Sequence, residues 1–337
     1  MAKCNNEEKI DSCPQVAARL LFKEVKESDK SNYNNILLSP LSFHAVLSMT
    51  AAGATGYTLN QMLQFLGVND VVDLNSNFLN MAAVFESNGN INGGPDLRFL
   101  SGMCVQFGAD IIVTKKSSNR TINKDFYLLN GDEVSVPFMT GCYDFHYGSY
   151  EGYQVAKIPY FIGKDNKEFS MFVFLPNEKD GLLSLLEKLI SDPKFFTQKY
   201  RLQKEELDAF FIPKFKFSYT AMDEVIKTMK EMRLTLPFDE DCEEITWIVE
   251  TKGPFVINRI LQKTFIEVNE KGTEASAVTE ESDDDLGFSL YDLTPPPRPT
   301  FVADHPFLFM IREEVSRLVL FTGAVLNPLS ESNNSDN

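Results

Sequence analysis

Apolar residues recur at helical spacing early in the chain and in alternation later, and that switch predicts the architecture. QVAARLLFKEV (15–25) carries one apolar stripe. LSFHAVLSMTAAGA (41–54) is apolar nearly all round, as a buried helix is. A shorter helix is expected from Thr58 to Leu66, with Thr58 as its cap. NGNINGGP (88–95) reads as a loop by its Gly and Asn content. LRFLSGMCVQFG (97–108) then reads as a strand, whereas ADIIVTKKSSNRTINK (109–124) has no strong pattern. FSMFVFLP (169–176) is a buried strand stopped by Pro176, and LLSLLEKLI (182–190) and AMDEVIKTMKEM (221–232) are helices. DAFFIPKFKFSY (208–219) and RILQKTFIEVN (259–269) read as strands, the first with alternating apolar residues. FVADHPFLFMIRE (301–313) and SRLVLFTGAVLNP (316–328) are expected to pair across a short turn. No period of 20–50 residues repeats, which excludes a solenoid. Helices early and strands late predict an α+β fold with a large sheet.

The 337 residues would allow two or three domains or one large one, and 43% hydrophobic content with 28 Phe supplies a large core. The division read here is a loose segment over 1–13, one domain over 14–329 and a disordered tail over 330–337. The formal charge is −16, from 48 acidic against 32 basic residues, so phosphate backbones and anionic membranes are disfavoured partners. The five cysteines, Cys4, Cys13, Cys104, Cys142 and Cys242, are odd in number, widely spaced and form no Cys-x-x-Cys. They fit a reducing compartment and small buried apolar roles. MAKCNNEEKIDSC at the start has no apolar core and is not read as a secretory signal. The expected location is cytoplasmic or nucleocytoplasmic, with extracellular the alternative, and the sequons at Asn119 and Asn333 are expected to go unused.

Catalytic signatures are missing. There is no phosphate-binding Gly-x-x-x-x-Gly-Lys-Ser/Thr, no dinucleotide glycine fingerprint, no His-Glu-x-x-His and no Gly-x-Ser-x-Gly. Of the three histidines, His44 lies on the apolar helix as a satisfied core residue, and His305 precedes a buried strand. A Cys142/His146 pair sits in YDFHYGSY, which reads as strand or turn. The expectation is therefore a protein that is not an enzyme and takes no cofactor or metal.

Six blocks in order carry a family resemblance. ILLSPLSFHAVLSMTAAGATGYTLNQMLQFL (36–66), LLNGDEVSVPFMT (128–140), FSMFVFLPNEKDGLLSLLEKL (169–189), FIPKFKFSY (211–219), FIEVNEKGTEASAVT (265–279) and the closing pair FVADHPFLFMIRE and LFTGAVLNP resemble serpins, the plant members most closely. The resemblance covers roughly four fifths of the chain. It implies a serpin-like α+β domain with a large mixed sheet, a second sheet and surrounding helices. It also implies a monomer that inhibits serine-type endopeptidases through an exposed reactive loop, here residues 270–300, with a serine or cysteine protease as partner. In the family the cut loop enters the main sheet as a new strand, dragging the protease with it. The implied hinge is Glu270, Lys271, Gly272, Thr273, Glu274, Ala275, Ser276 and Ala277, and the usual loop length places the scissile pair at Leu286 and Gly287. Ser39 and Ser42 match the cluster where the sheet opens; Gln262 stands where the family usually has His.

Two departures lower the expected activity. Between residue 108 and LLNGDEV the family carries several helices and a central strand, and only about 20 residues stand there here. Part of the central helical and strand block is thus expected to be missing. Along the loop, Thr273, Ala275, Ala277 and Thr279 share one face by the period of two and suit burial. The same parity brings Glu281 and Asp283 inward, and an unpaired buried carboxylate costs several kcal/mol or must protonate. Trapping is expected to be weak or lost, with an active inhibitor, or a binding module using the acidic loop, as the alternatives.

Overall fold

The computed structural model describes residues 10–28, 33–85, 96–100, 104–108, 121–140, 144–160, 167–246, 256–269 and 298–330. Among them are six helices, α1 (Cys13–Glu27), α2 (Pro40–Ala52), α3 (Gly56–Phe65), α4 (Val71–Phe85), α5 (Leu182–Ser191) and α6 (Asp223–Glu231). Several starts have an identifiable cause. Pro14 and Pro40 sit in the first turns of α1 and α2, where a missing N–H costs nothing. Asp70 Oδ1 accepts from Val72 N and Asp73 N at the head of α4. Thr58 is not the cap of α3, which begins two residues earlier. Its amide instead donates to Glu244 Oε2 at 2.6 Å, and that hydrogen bond holds the Glu244 carboxyl below its ordinary range.

The strands form three sheets. A seven-stranded sheet runs β1 (Ile36–Leu38), β15 (Val319–Val325), β14 (Phe307–Glu313), β8 (Phe169–Pro176), β7 (Tyr153–Pro159), β6 (Asp144–Tyr150), β9 (Gln203–Glu206). All of its pairings are antiparallel. Its central strands β8, β14 and β15 are buried on both faces, which explains their unbroken apolar sequences. A four-stranded sheet runs β13 (Thr300–Val302), β10 (Ala209–Pro213), β5 (Glu133–Thr140), β4 (Thr121–Tyr127). A second runs β11 (Phe215–Ala221), β12 (Gln262–Val268), β3 (Cys104–Gly108), β2 (Asp96–Leu100). Mixed pairing belongs to these two smaller sheets rather than to the large one.

Two strands read as continuous are each divided. Residues 96–100 and 104–108 are two strands paired antiparallel, with Asp96 opposite Gly108 and Leu100 opposite Cys104. The 208–219 run breaks at Lys214: β10 lies in one sheet and β11 in another, and Lys214 N donates to Pro137 O across the corner. The patternless 109–124 ends in β4, which pairs with β5 over its whole length and leaves the β12 sheet without it. The core closes between sheets through rings: Phe215 of β11 lies 5.6 Å from Phe309 and 6.2 Å from Phe307, both of β14. A second cluster gathers Tyr153, Phe172, Phe174, Phe195 and Tyr200 beside α5.

Candidate functional site

The sequence-predicted loop falls almost entirely outside the described residues. Glu270, Lys271, Gly272, Thr273, Glu274, Ala275, Ser276, Ala277, Leu286 and Gly287 all belong to 270–297, which is not described. What can be built is the frame from which the loop departs: β12, ending at Val268, its neighbours, and the cluster at its beginning.

That cluster joins two segments more than 200 residues apart. Ser39 is the extended residue before α2, and its hydroxyl accepts from Ser42 N at 3.3 Å. Ser42 Oγ in turn donates to Ser39 O at 3.0 Å. Gln262 opens β12. Its Oε1 accepts from Ser39 N at 2.9 Å, and its Nε2 donates to Ser39 O at 2.9 Å and to Ser42 Oγ. One planar amide thus satisfies both backbone groups of Ser39, as a neighbouring strand would. The three residues are 1–2% exposed, so these are dry hydrogen bonds whose loss costs more than their formation gains. Thr264, two residues on and on the same face, adds a bond from its Oγ1 to Leu37 O at 2.8 Å. Ser39, Ser42 and Gln262 are thus joined by hydrogen bonds; Thr264 was not singled out in the sequence, because its partner is 227 residues away and leaves no local mark.

β12 is paired on both sides. β11 runs antiparallel along all seven residues, from Phe215 opposite Val268 to Ala221 opposite Gln262. On the other side β3 runs parallel, in register over Lys263–Cys104, Thr264–Val105 and Phe265–Gln106. Among the described residues β3 therefore holds the position beside β12, with β2 as the next strand outward. The second partner of β12 is short: β3 has five residues and pairs with β12 over three.

The remaining candidates do not form a catalytic centre among the described residues. His305 is buried, with Nδ1 2.8 Å from Asp304 Oδ1 and Nε2 2.8 Å from Pro176 O, so both nitrogens are engaged. His146 lies exposed on β6, where partial burial and then the Lys157 and Lys204 cations lower its pKa; Cys142 is outside the described residues. His44 is buried with Nδ1 2.9 Å from Asp11 Oδ2, but its Nε2 finds no partner, so the expected satisfied core histidine is satisfied on one side only. No helix among the described residues is long and apolar enough to cross a membrane.

Comparison with known proteins places this frame. The family model described as Serpin (serine protease inhibitor) matches residues 14–111 and 113–328. Serpin-Z2B of Triticum aestivum is 30% identical, with 93% of this chain and 94% of the relative aligned. That alignment runs over 384 positions against 337 residues here, so the relative has residues with no counterpart in this chain. Serpin-Z10 of Arabidopsis thaliana is 41% identical over 218 residues, 64% of this chain and 54% of the relative. Among solved structures, Arabidopsis AtSerpin1 in its native stressed conformation superposes with a TM-score of 0.80 at 27% identity, covering 97% of this chain and 100% of that one. Uncleaved ovalbumin, at 17% identity and a TM-score of 0.69, shares the fold.

Proposed function

The chain belongs to the serpin family, and from that premise we propose that it is a protease-inhibitor relative in which trapping by loop insertion is weak or lost. The observation that carries this reading is the β12–β3 pairing. A loop leaving β12 and entering as a strand beside it must first break that pairing. It then gains hydrogen bonds on both edges only where both neighbours reach. Residues 273–286 as a strand would span roughly 45 Å, whereas the five residues of β3 span roughly 16 Å. About two thirds of the newcomer would keep one edge unpaired. Glu281 and Asp283 weigh against burying the second half of the loop.

A partner of this protein is then a serine or cysteine protease that cuts the loop and leaves. Mixing with chymotrypsin-like, elastase-like and papain-like proteases tests this on a denaturing gel. The expected result is cleavage within 280–290 with the protease fully active afterwards. An SDS-stable covalent complex with any of them would show a working trap and overturn the reading. Cys13 and Cys242, buried and unbridged, favour a reducing location, cytoplasmic or nucleocytoplasmic, which a fluorescent fusion would report.

A further inference from the structure

We propose that Asp11, Cys13 and His44 form a zinc-type divalent metal site that ties the entrance of α1 to α2. The sequence offers no metal motif, because Asp11 and Cys13 are more than 30 residues from His44. Folding brings one ligand atom from each to within 4.8 Å of the others, with Asp11 Oδ2 and His44 Nδ1 only 2.9 Å apart. Tetrahedral zinc, with bonds of about 2.0–2.3 Å, places its ligand atoms roughly 3.3–3.8 Å from one another, so the cluster needs side-chain shifts of about 1 Å.

The donor set selects the ion. A thiolate and an imidazole exclude magnesium and calcium, which demand oxygen; one sulfur, one nitrogen and one carboxylate oxygen suit zinc with a fourth position left for water. Charge points the same way. Asp11 and a Cys13 thiolate bring two negative charges beside a neutral imidazole, which a divalent cation cancels. Cys13 and His44 are buried, whereas Asp11 is 30% exposed and gives the ion a way in.

A second observation bears on the histidine. Its Nε2 is buried without a partner, and so is the hydroxyl of Ser48, one turn further along the same face of α2. Metal-bound histidines almost always donate from their other nitrogen. If Nδ1 gives its proton up to bind the ion, Nε2 carries one, and Ser48 Oγ, four residues on, is an unpartnered acceptor on the same helix face. One cation would then satisfy both orphaned atoms. The proton balance closes: the thiol releases its proton to solvent, and the imidazole changes tautomer while remaining neutral.

The experiment titrates metal-free full-length protein with cobalt(II), whose bond to a thiolate gives a near-ultraviolet charge-transfer band, and then competes with zinc. One equivalent of cobalt is expected to produce the band, and zinc to remove it. Cys13→Ser should abolish it, Cys242→Ser should leave it, and Asp11→Asn, altering the most exposed ligand without opening the core, should weaken zinc binding at least tenfold. Ser48→Ala should weaken binding by about tenfold, as loss of a supporting hydrogen bond does. Zinc should raise the melting temperature of the wild type but not of Cys13→Ser. A band that persists in Cys13→Ser, or no band in the wild type, overturns the proposal; both readings stand apart from protease inhibition.

Discussion

Gln262 carries the clearest test at the scale of one residue. Its amide is the partner of Ser39 N and Ser39 O in a site that water does not reach. Gln262→Leu keeps the volume and removes the amide, leaving Ser39 N buried without its acceptor at about 1–3 kcal/mol, while Ser39 O keeps Ser42 N and Ser42 Oγ as donors. The expected loss is about 1–3 kcal/mol in urea unfolding, with Gln262→His losing less because an imidazole nitrogen can accept from Ser39 N. A loss below about 1 kcal/mol for the leucine variant would show that the latch contributes little. Ser39 and Ser42 were legible because a Ser-Pro helix start has a local signature, and Gln262 because the surrounding block aligned with its relatives. Glu244, which serves the head of α3 from 186 residues away, was not legible: its acidic neighbourhood looks like any solvated face, and only the folded chain delivers it to Thr58.

At the scale of elements, long periodic segments were readable and junctions were not. α1, α2, α5 and α6 lie where their apolar spacing places them, and β8, β14 and β15 where unbroken apolar runs do. α4 was missed because its Asn and Ser positions weaken helical propensity, although Leu74, Phe78 and Met81 keep the spacing. The division of 96–108 into two paired strands and the break at Lys214 were missed because an apolar run does not say where its pairing partner changes. β15 shows how closely these elements approach one another. Gly323 lies opposite both Leu37 of β1 and Phe309 of β14. A Cβ there would meet Ile36 O and lie 2.6 Å from Phe309 Cζ, and a backbone oxygen cannot swing away as a side chain does. Gly323→Ala should therefore destabilise by about 2–3 kcal/mol, through overpacking that pushes β1 off the sheet. Thermal melting reads this directly; an unchanged midpoint would mean that the β1 edge yields freely.

At the scale of the whole molecule the proposed loss of trapping has two candidate causes, the acidic loop and the short strand beside β12. The loop acids can be removed alone. Glu281→Ala with Asp283→Ala leaves Gly272 to Thr279 intact and gives the loop small inward residues along nearly its whole length. If the acids were the obstacle, the double variant would insert after cleavage, gain a strand and melt higher. The β12 sheet argues otherwise. An entering strand must displace β3 from Lys263–Phe265 and then finds, among the described residues, a five-residue neighbour, with residues 121–127 committed to β5 in another sheet. Hydrogen bonds broken at β12–β3 offset part of those gained, and the Gln262 bridge to Ser39 holds the same end of β12 fast. Repairing the loop should therefore leave both readouts where they were. Neither the wild type nor the double variant should melt more than about 10 °C higher after a nick in 280–290, which for a chain of this size corresponds to several kcal/mol. Neither should form a covalent complex with a protease. A large rise in the double variant alone would place the defect in Glu281 and Asp283 and show that the sheet still opens; a large rise in both would show that neither departure prevents insertion.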